Sequence, residues 1–243
     1  MSIHFGEDKT KSILFTRSKT PEKLNISFQD HRIKQYNCVE YLGCFLDHNL
    51  NGETMARKVL NKINGKLKFL YRQADFLNPT CKRLLCNALI QPHFDYGCTS
   101  WYPLLNKAFK KRFQTTQNKC IRYCLDLPSR SHISAKHFRK INWLPVDHRV
   151  ELCTATTVYK YWNEIAPFYF NDIFTPSSNR YNTRSQMALD IPLQKTALGQ
   201  KSISFLGPKI WSKISNDLKT VKTTNCFTNG LKKEILDSLN NRN

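Results

Sequence analysis

Apolar residues follow two different periods along this chain, and the change comes near residue 50. Before it, short runs of β-forming residues predict strands. Ser12–Thr16 (SILFT) is one such run. Leu24–Phe28 and Ile33–Tyr36 flank a polar Gln29-Asp30-His31 turn and predict a hairpin. Val39–Asp47 reads as a further strand with Gly43 inside it, where a glycine marks a bulge or the close approach of another backbone. Residues 1–50 hold too few strands to bury a sheet alone.

From Asn51 the period is helical. Met55, Val59, Ile63, Leu67 and Leu70 fall on one face, with Arg57, Lys58, Lys68 and Arg72 opposite and Lys62 and Lys66 flanking the apolar stripe. A second helix is predicted from Pro79, carrying Leu84, Leu85, Ala88 and Leu89, with Pro92 kinking or ending it. A third spans about 105–125, with Phe109, Phe113, Cys120 and Cys124 inward and Lys110, Lys111, Lys119 and Arg122 among its polar positions. Three amphipathic helices with short connections predict a small bundle. Pro128-Ser129-Arg130-Ser131 marks a boundary. Beyond it, helices are predicted at 134–141, from Pro145 to about Asn163, and at about 226–239, with a loop over 175–185. The expected fold is mainly α with a small N-terminal β part (α+β), divided into 1–50, a helical bundle over 51–128 and a mostly helical domain over 129–243.

Composition adds an expected partner class. In 243 residues, 38 Lys and Arg stand against 18 Asp and Glu, a net charge of +20. The excess is clustered. Between Thr54 and Ala74 there are six cations and no acid, and between Trp101 and Val150 there are 11 cations against Asp126 and Asp147. Such a balance points to a polyanion, nucleic acid before membrane. Residues 1–9 carry no apolar leader, and no apolar run approaches the ~18 residues of a membrane span. The expectation is an intracellular protein, nuclear or cytoplasmic and not secreted. Nine cysteines, an odd number, fit free thiols in a reducing compartment.

Cys120, Cys124, His132 and His137 read C-x3-C-x7-H-x4-H, which is reminiscent of a zinc site. The middle spacing is shorter than a zinc finger's, and both cysteines lie on the inward helical face, so buried thiols are the preferred reading. Trp101, Trp143, Trp162 and Trp211 read as core more readily than as base-stacking platforms. No Gly-rich phosphate loop or Ser/His/Asp order stands out. No residue is a candidate catalytic group or metal ligand.

Several segments together resemble LINE-type, jockey-like (non-LTR retrotransposon) reverse transcriptases, in the part that follows the catalytic Asp-Asp motif. Lys9-Thr10-Lys11 before Ile13-Leu14-Phe15 resembles motif D of the palm. Tyr41-Leu42-Gly43, ending in Leu46-Asp47, resembles motif E, the primer-grip hairpin. His93-Phe94-Asp95-Tyr96-Gly97 with Trp101 resembles the thumb signature. Gln117-Asn118 with Arg122, Asn142-Trp143-Leu144-Pro145 with Arg149, and Gly199-Gln200, Ser204-Phe205, Gly207-Pro208 and Trp211 continue the likeness. Each motif is weak alone, but their order and spacing extend over nearly the whole chain.

The resemblance implies the end of a palm (1–50), a thumb (51–128) and the C-terminal domain of such a polymerase (129–243). It places Lys9 and Lys11 near an incoming nucleotide and Tyr41, Leu42 and Gly43 at the primer end. Arg57, Lys58, Lys62, Lys66, Lys68 and Arg72, with Lys110, Lys111, Lys119 and Arg122, would grip the phosphates of an RNA/DNA template–primer. In the family, polymerisation uses Mg²⁺ held by carboxylates on a preceding hairpin. Glu7 and Asp8 match no such position. The chain is therefore expected to act as a truncated RNA-directed DNA polymerase, needing no cofactor of its own and inactive alone. A non-catalytic basic nucleic-acid-binding module and a non-functional element relic are the alternatives.

Overall fold

The computed structural model describes residues 10–16, 18, 22–28, 31–177 and 187–239. Two small hairpins precede a helical body. β1 (Ser27–Phe28) pairs antiparallel with β2 (His31–Arg32), and β3 (Cys38–Tyr41) with β4 (Cys44–Asp47). The helices are α1 (Glu53–Arg72), α2 (Pro79–Leu89), α3 (Gln91–Asp95), α4 (Cys98–Trp101), α5 (Lys107–Cys124), α6 (Ala135–Ile141), α7 (Val146–Trp162), α8 (Ile203–Trp211), α9 (Asn216–Lys219) and α10 (Thr224–Ser238). The protein is mainly α with a small N-terminal β part.

Three features of the β part differ from the sequence pattern. The run 39–47 is a hairpin and not one strand, because Leu42 (φ 47°) and Gly43 (φ 75°) both adopt left-handed backbone. Two such residues make the tight turn whose twist matches that of paired strands. Ser12–Thr16 is not a strand. It is tied to its neighbours by a parallel bridge, in which the Ser12 N–H donates to Lys34 O (3.1 Å) and the Tyr36 N–H to Ser12 O (2.9 Å), and by the Thr16 N–H donating to His48 O (2.9 Å). The first hairpin pairs only two residues per strand. Ahead of it, Leu24 N–H donates instead to the Gln35 side chain (2.8 Å), a tie that propensity does not reveal.

The start of α1 is fixed by the end of β4. Asp47 is buried, and its carboxylate accepts the Thr54 N–H (3.3 Å), while Asn51 Oδ1 accepts the Glu53 N–H (2.9 Å). These acceptors satisfy two of the donors that a helix start leaves unpaired. Between them, Gly52 has φ 68°, and a Cβ there would fall 2.9 Å from Trp101 O, so this corner requires glycine. The predicted inward face of α1 is buried throughout, widened by Ala56 and Leu60.

Helix α5 is capped by Asn106, whose side chain accepts the Phe109 N–H (3.0 Å). Its Phe113 is fully buried, with ring centroids 6.1, 5.4 and 5.8 Å from those of Phe94, Trp101 and Tyr102. Helix α2 buries a different face from the one its leucines suggest. Lys82 and Cys86 are inside, while Leu84, Ala88 and Leu89 are exposed. The Lys82 ammonium pairs with the Asp126 carboxylate beyond α5 and lies 5.6 Å from the Tyr123 ring centroid. A lysine with both partners can be buried in place of a leucine.

The apolar packing forms two clusters that divide within α7. The first runs from Met55 through Val150, continues across Pro128–Ser131, and takes in Leu236. The second gathers Ala155, Val158, Tyr159, Phe174, Trp211 and Phe227. Trp101, Trp143 and Trp211 are core residues, and Trp162 packs beside Trp211.

Candidate nucleic-acid interface

The helical period that buries one face of α1 places its cations on the rest of the circumference. Arg57, Lys58, Lys62, Lys68 and Arg72 are exposed and Lys66 is half-buried. At one margin the Lys58 ammonium stands 3.3 Å over the Phe45 ring of β4. On the same side, Lys66 Nζ donates to Leu89 O at the end of α2 (3.1 Å). At the other margin, the Arg57 guanidinium lies 5.7 Å from the Phe109 ring of α5, and Arg112 lies 5.1 Å from the same ring. The positive surface thus extends from the β3–β4 hairpin round to α5. Arg57 also pairs with Glu53 (3.1 Å) across one helical turn. Arg112, outside the set expected from the sequence, also belongs with this surface. The available signal was its spacing of three residues from Phe109, which puts it at the α1–α5 seam.

The hairpin tip is held against this stripe. Tyr41 is 65% and Leu42 75% exposed. The Tyr96 hydroxyl donates to Leu42 O (2.5 Å), and its oxygen lies 3.3 Å from where a Gly43 Cβ would be. Glycine therefore permits the close approach that the hydrogen bond needs. A cavity of ≈ 330 Å³ lies between hairpin and helix, lined by Glu40, Gly43, Phe45, Lys58, Lys62, His93 and Tyr96 among others. Burial, then the charges of Lys66 and Lys62, hold the His93 imidazole below its ordinary pKa.

The cations between 101 and 150 divide into two sets. Seven of the 11, Lys107, Lys111, Arg112, Lys119, Arg130, Lys136 and Lys140, are exposed, and the other four are half-buried. Lys110 lies 4.0 Å from Asp147 and 5.1 Å from the Tyr102 ring centroid, and Arg122 Nε donates to Ser131 O (2.9 Å). Arg139 donates to Leu236 O (3.1 Å), and Arg149 makes a two-pronged pair with Asp95. Of the two lysines expected near a nucleotide, Lys9 lies outside the described residues. Lys11 is exposed and sits 5.4 Å from the Tyr36 ring centroid.

The Cys/His spacing is taken up in other ways. Cys120 and Cys124 are buried. Burial pushes the Cys120 thiol up, and a hydrogen bond with Cys86, then burial, does the same to Cys124. His137 Nδ1 accepts the Ser134 N–H (3.1 Å) at the start of α6. Among the described residues no three His, Cys, Asp or Glu side chains gather as metal ligands, and no helix is long and apolar enough to cross a membrane. Comparisons with protein-family models, with curated proteins and with solved structures give no match.

Proposed function

We propose that this chain is the template–primer-gripping part of a LINE-type reverse transcriptase, holding an RNA–DNA duplex without reading its sequence. The observation that supports this most is the Tyr96–Leu42 hydrogen bond (2.5 Å). It fixes the exposed 41–43 turn beside the α1 cations, as a grip on a primer end next to a duplex track requires. From Arg57 to Arg72 the stripe runs about 22 Å along the helix, the rise of about six to seven base pairs. Exposed lysines and arginines at this spacing contact phosphates, which gives register and affinity but no base discrimination. The turn presents backbone and an aromatic ring where the strand would end. In this reading the Mg²⁺ chemistry belongs to carboxylates of a preceding palm element, and the residues described here position the duplex.

A recessed RNA–DNA hybrid carrying a photoreactive thiothymidine at the primer 3′ end tests the proposal. The primer end should crosslink to residues 41–43 and to Tyr96, and an internal thiothymidine should crosslink to α1. Crosslinks along α1 with no preference of the 3′ end for the turn would leave a basic duplex-binding module and overturn the primer grip.

A further inference from the structure

A second polar cavity, ≈ 480 Å³ in volume, opens where α2, α3, α7 and α10 meet, and no α1 residue lines it. Its wall includes Arg83, Gln91, Asp95, Trp143, Arg149 and Lys232. Three cations face one carboxylate, and that carboxylate is engaged by Arg149. Among the described residues neither Arg83 nor Lys232 makes an ion pair. Lys232 is half-buried, and its ammonium is held below its ordinary pKa by burial and then by the charge of Arg149. Like charges gathered in a recess raise the energy of the empty site, and an anion lowers it.

Gln91 points to the same kind of occupant independently. It is only 4% exposed, and its carboxamide nitrogen and oxygen are both enclosed, yet neither has a hydrogen-bond partner. Buried amides are nearly always satisfied, and leaving one unpaired is costly. The Trp143 indole N–H, by contrast, is already given to Asn87 Oδ1 (2.9 Å), so it does not compete for a ligand. We infer that this cavity is a phosphate-binding site, in which Arg83 and Lys232 donate to the oxygens of a phosphate group and the Gln91 amide, enclosed in the empty site, turns to join them. Asp95 keeps Arg149 in place at the wall. A protonated phosphate oxygen can also donate to Gln91 Oε1, which completes the amide. The inference does not rest on the duplex grip, since it uses none of the α1 or hairpin residues.

Titration of the full chain with inorganic phosphate at constant ionic strength tests it, followed by NMR at the Gln91 side-chain amide and the Trp143 indole. Both signals should shift saturably with one phosphate per chain. Arg83→Met and Lys232→Met should each weaken binding roughly tenfold or more, as expected for loss of a charge-assisted hydrogen bond. Lys107→Gln and Lys160→Gln, which remove the same charge elsewhere, should leave it unchanged. Gln91→Met should abolish the shift at Trp143 while the melting temperature stays level or rises, because an unsatisfied amide is removed. Absence of a saturable shift, or equal weakening by both pairs of lysine and arginine variants, would overturn the site. A 5′-phosphorylated trinucleotide compared with its unphosphorylated form separates the two sources. Tighter binding than inorganic phosphate supports the terminal phosphate of a strand, and equal binding supports the free ion.

Discussion

Helix α1 and the stretch from Trp101 to Val150 are both strongly basic in sequence, yet the fold uses their charges differently. Along α1 the cations are mostly on the outside, and Lys58 and Arg57 extend over aromatic rings at the two margins. In the second stretch Arg122, Arg139 and Arg149 are half-buried and bound to Ser131 O, Leu236 O and Asp95. A half-buried guanidinium tied to its own protein is less free to turn to a phosphate, whereas Lys66, with one bond to Leu89 O, keeps two donors. Local charge density therefore overstates only part of the second region, where four of the 11 cations (Lys110, Arg122, Arg139 and Arg149) are half-buried, against one of six on α1. Lys82, inside the bundle with Asp126, is the extreme case of a cation used for architecture.

If this division is right, variants of the inward cations cost stability and leave binding alone. Asp126→Asn should show the largest effect, lowering stability by about 2–3 kcal/mol in urea denaturation. It strands the Lys82 ammonium, although the half-exposed partner lets water replace part of the loss. Asparagine also suits the positive φ at this position, so the charge is what the experiment tests. Arg139→Gln should cost about 1–2 kcal/mol, since it releases the Leu236 carbonyl near the end of α10. Neither variant should change the salt dependence of nucleic-acid binding, and a change would move part of the interface inward.

A smaller effect sharpens the other side of the comparison. His93 is held below its ordinary pKa by burial and by Lys66 and Lys62. A polyanion laid against those lysines offsets their repulsion and raises the imidazole pKa in the complex, so binding takes up protons. Affinity should therefore be flat above about pH 7.5 and tighten about twofold to fivefold as pH falls towards 6. His93→Gln should remove that dependence. An identical pH profile in wild type and variant would place the duplex away from His93.

Much of the bundle was legible because its helices have strong apolar periods. The inward faces of α1 and α5 follow from their sequence spacing alone, and so does the exposed set of α1 cations. The inward face of α2 was not, because the partner that allows Lys82 to be buried is Asp126, 44 residues further on. The hairpin turn was hidden for a similar reason, as the pattern over 39–47 fits one strand until Leu42 and Gly43 both turn left-handed. Periodicity also gave no helix over 203–211, where Gly207 and Pro208 argue against one. In the fold Gly207 is buried against Phe174 and Val158, where a Cβ would fall 2.7 Å from the Phe174 ring, so the glycine serves close helix packing. Of the candidate interface, the stripe could be read from spacing. The contact that sets the turn beside it, Tyr96 to Leu42 across 54 residues, could not.

The central claim is that α1 carries the phosphate contacts and the inward cations do not. Its most direct test is the salt dependence of binding to an RNA–DNA hybrid, measured for the wild type and for the combined variant Lys58→Gln, Lys62→Gln, Lys66→Gln and Arg72→Gln. Wild-type affinity should fall roughly tenfold to a thousandfold between about 50 and 200 mM salt. In the variant the slope of log affinity against log salt should flatten by about three to four, equally for unrelated sequences, with the melting temperature nearly unchanged. An unchanged slope in a folded variant would contradict the account.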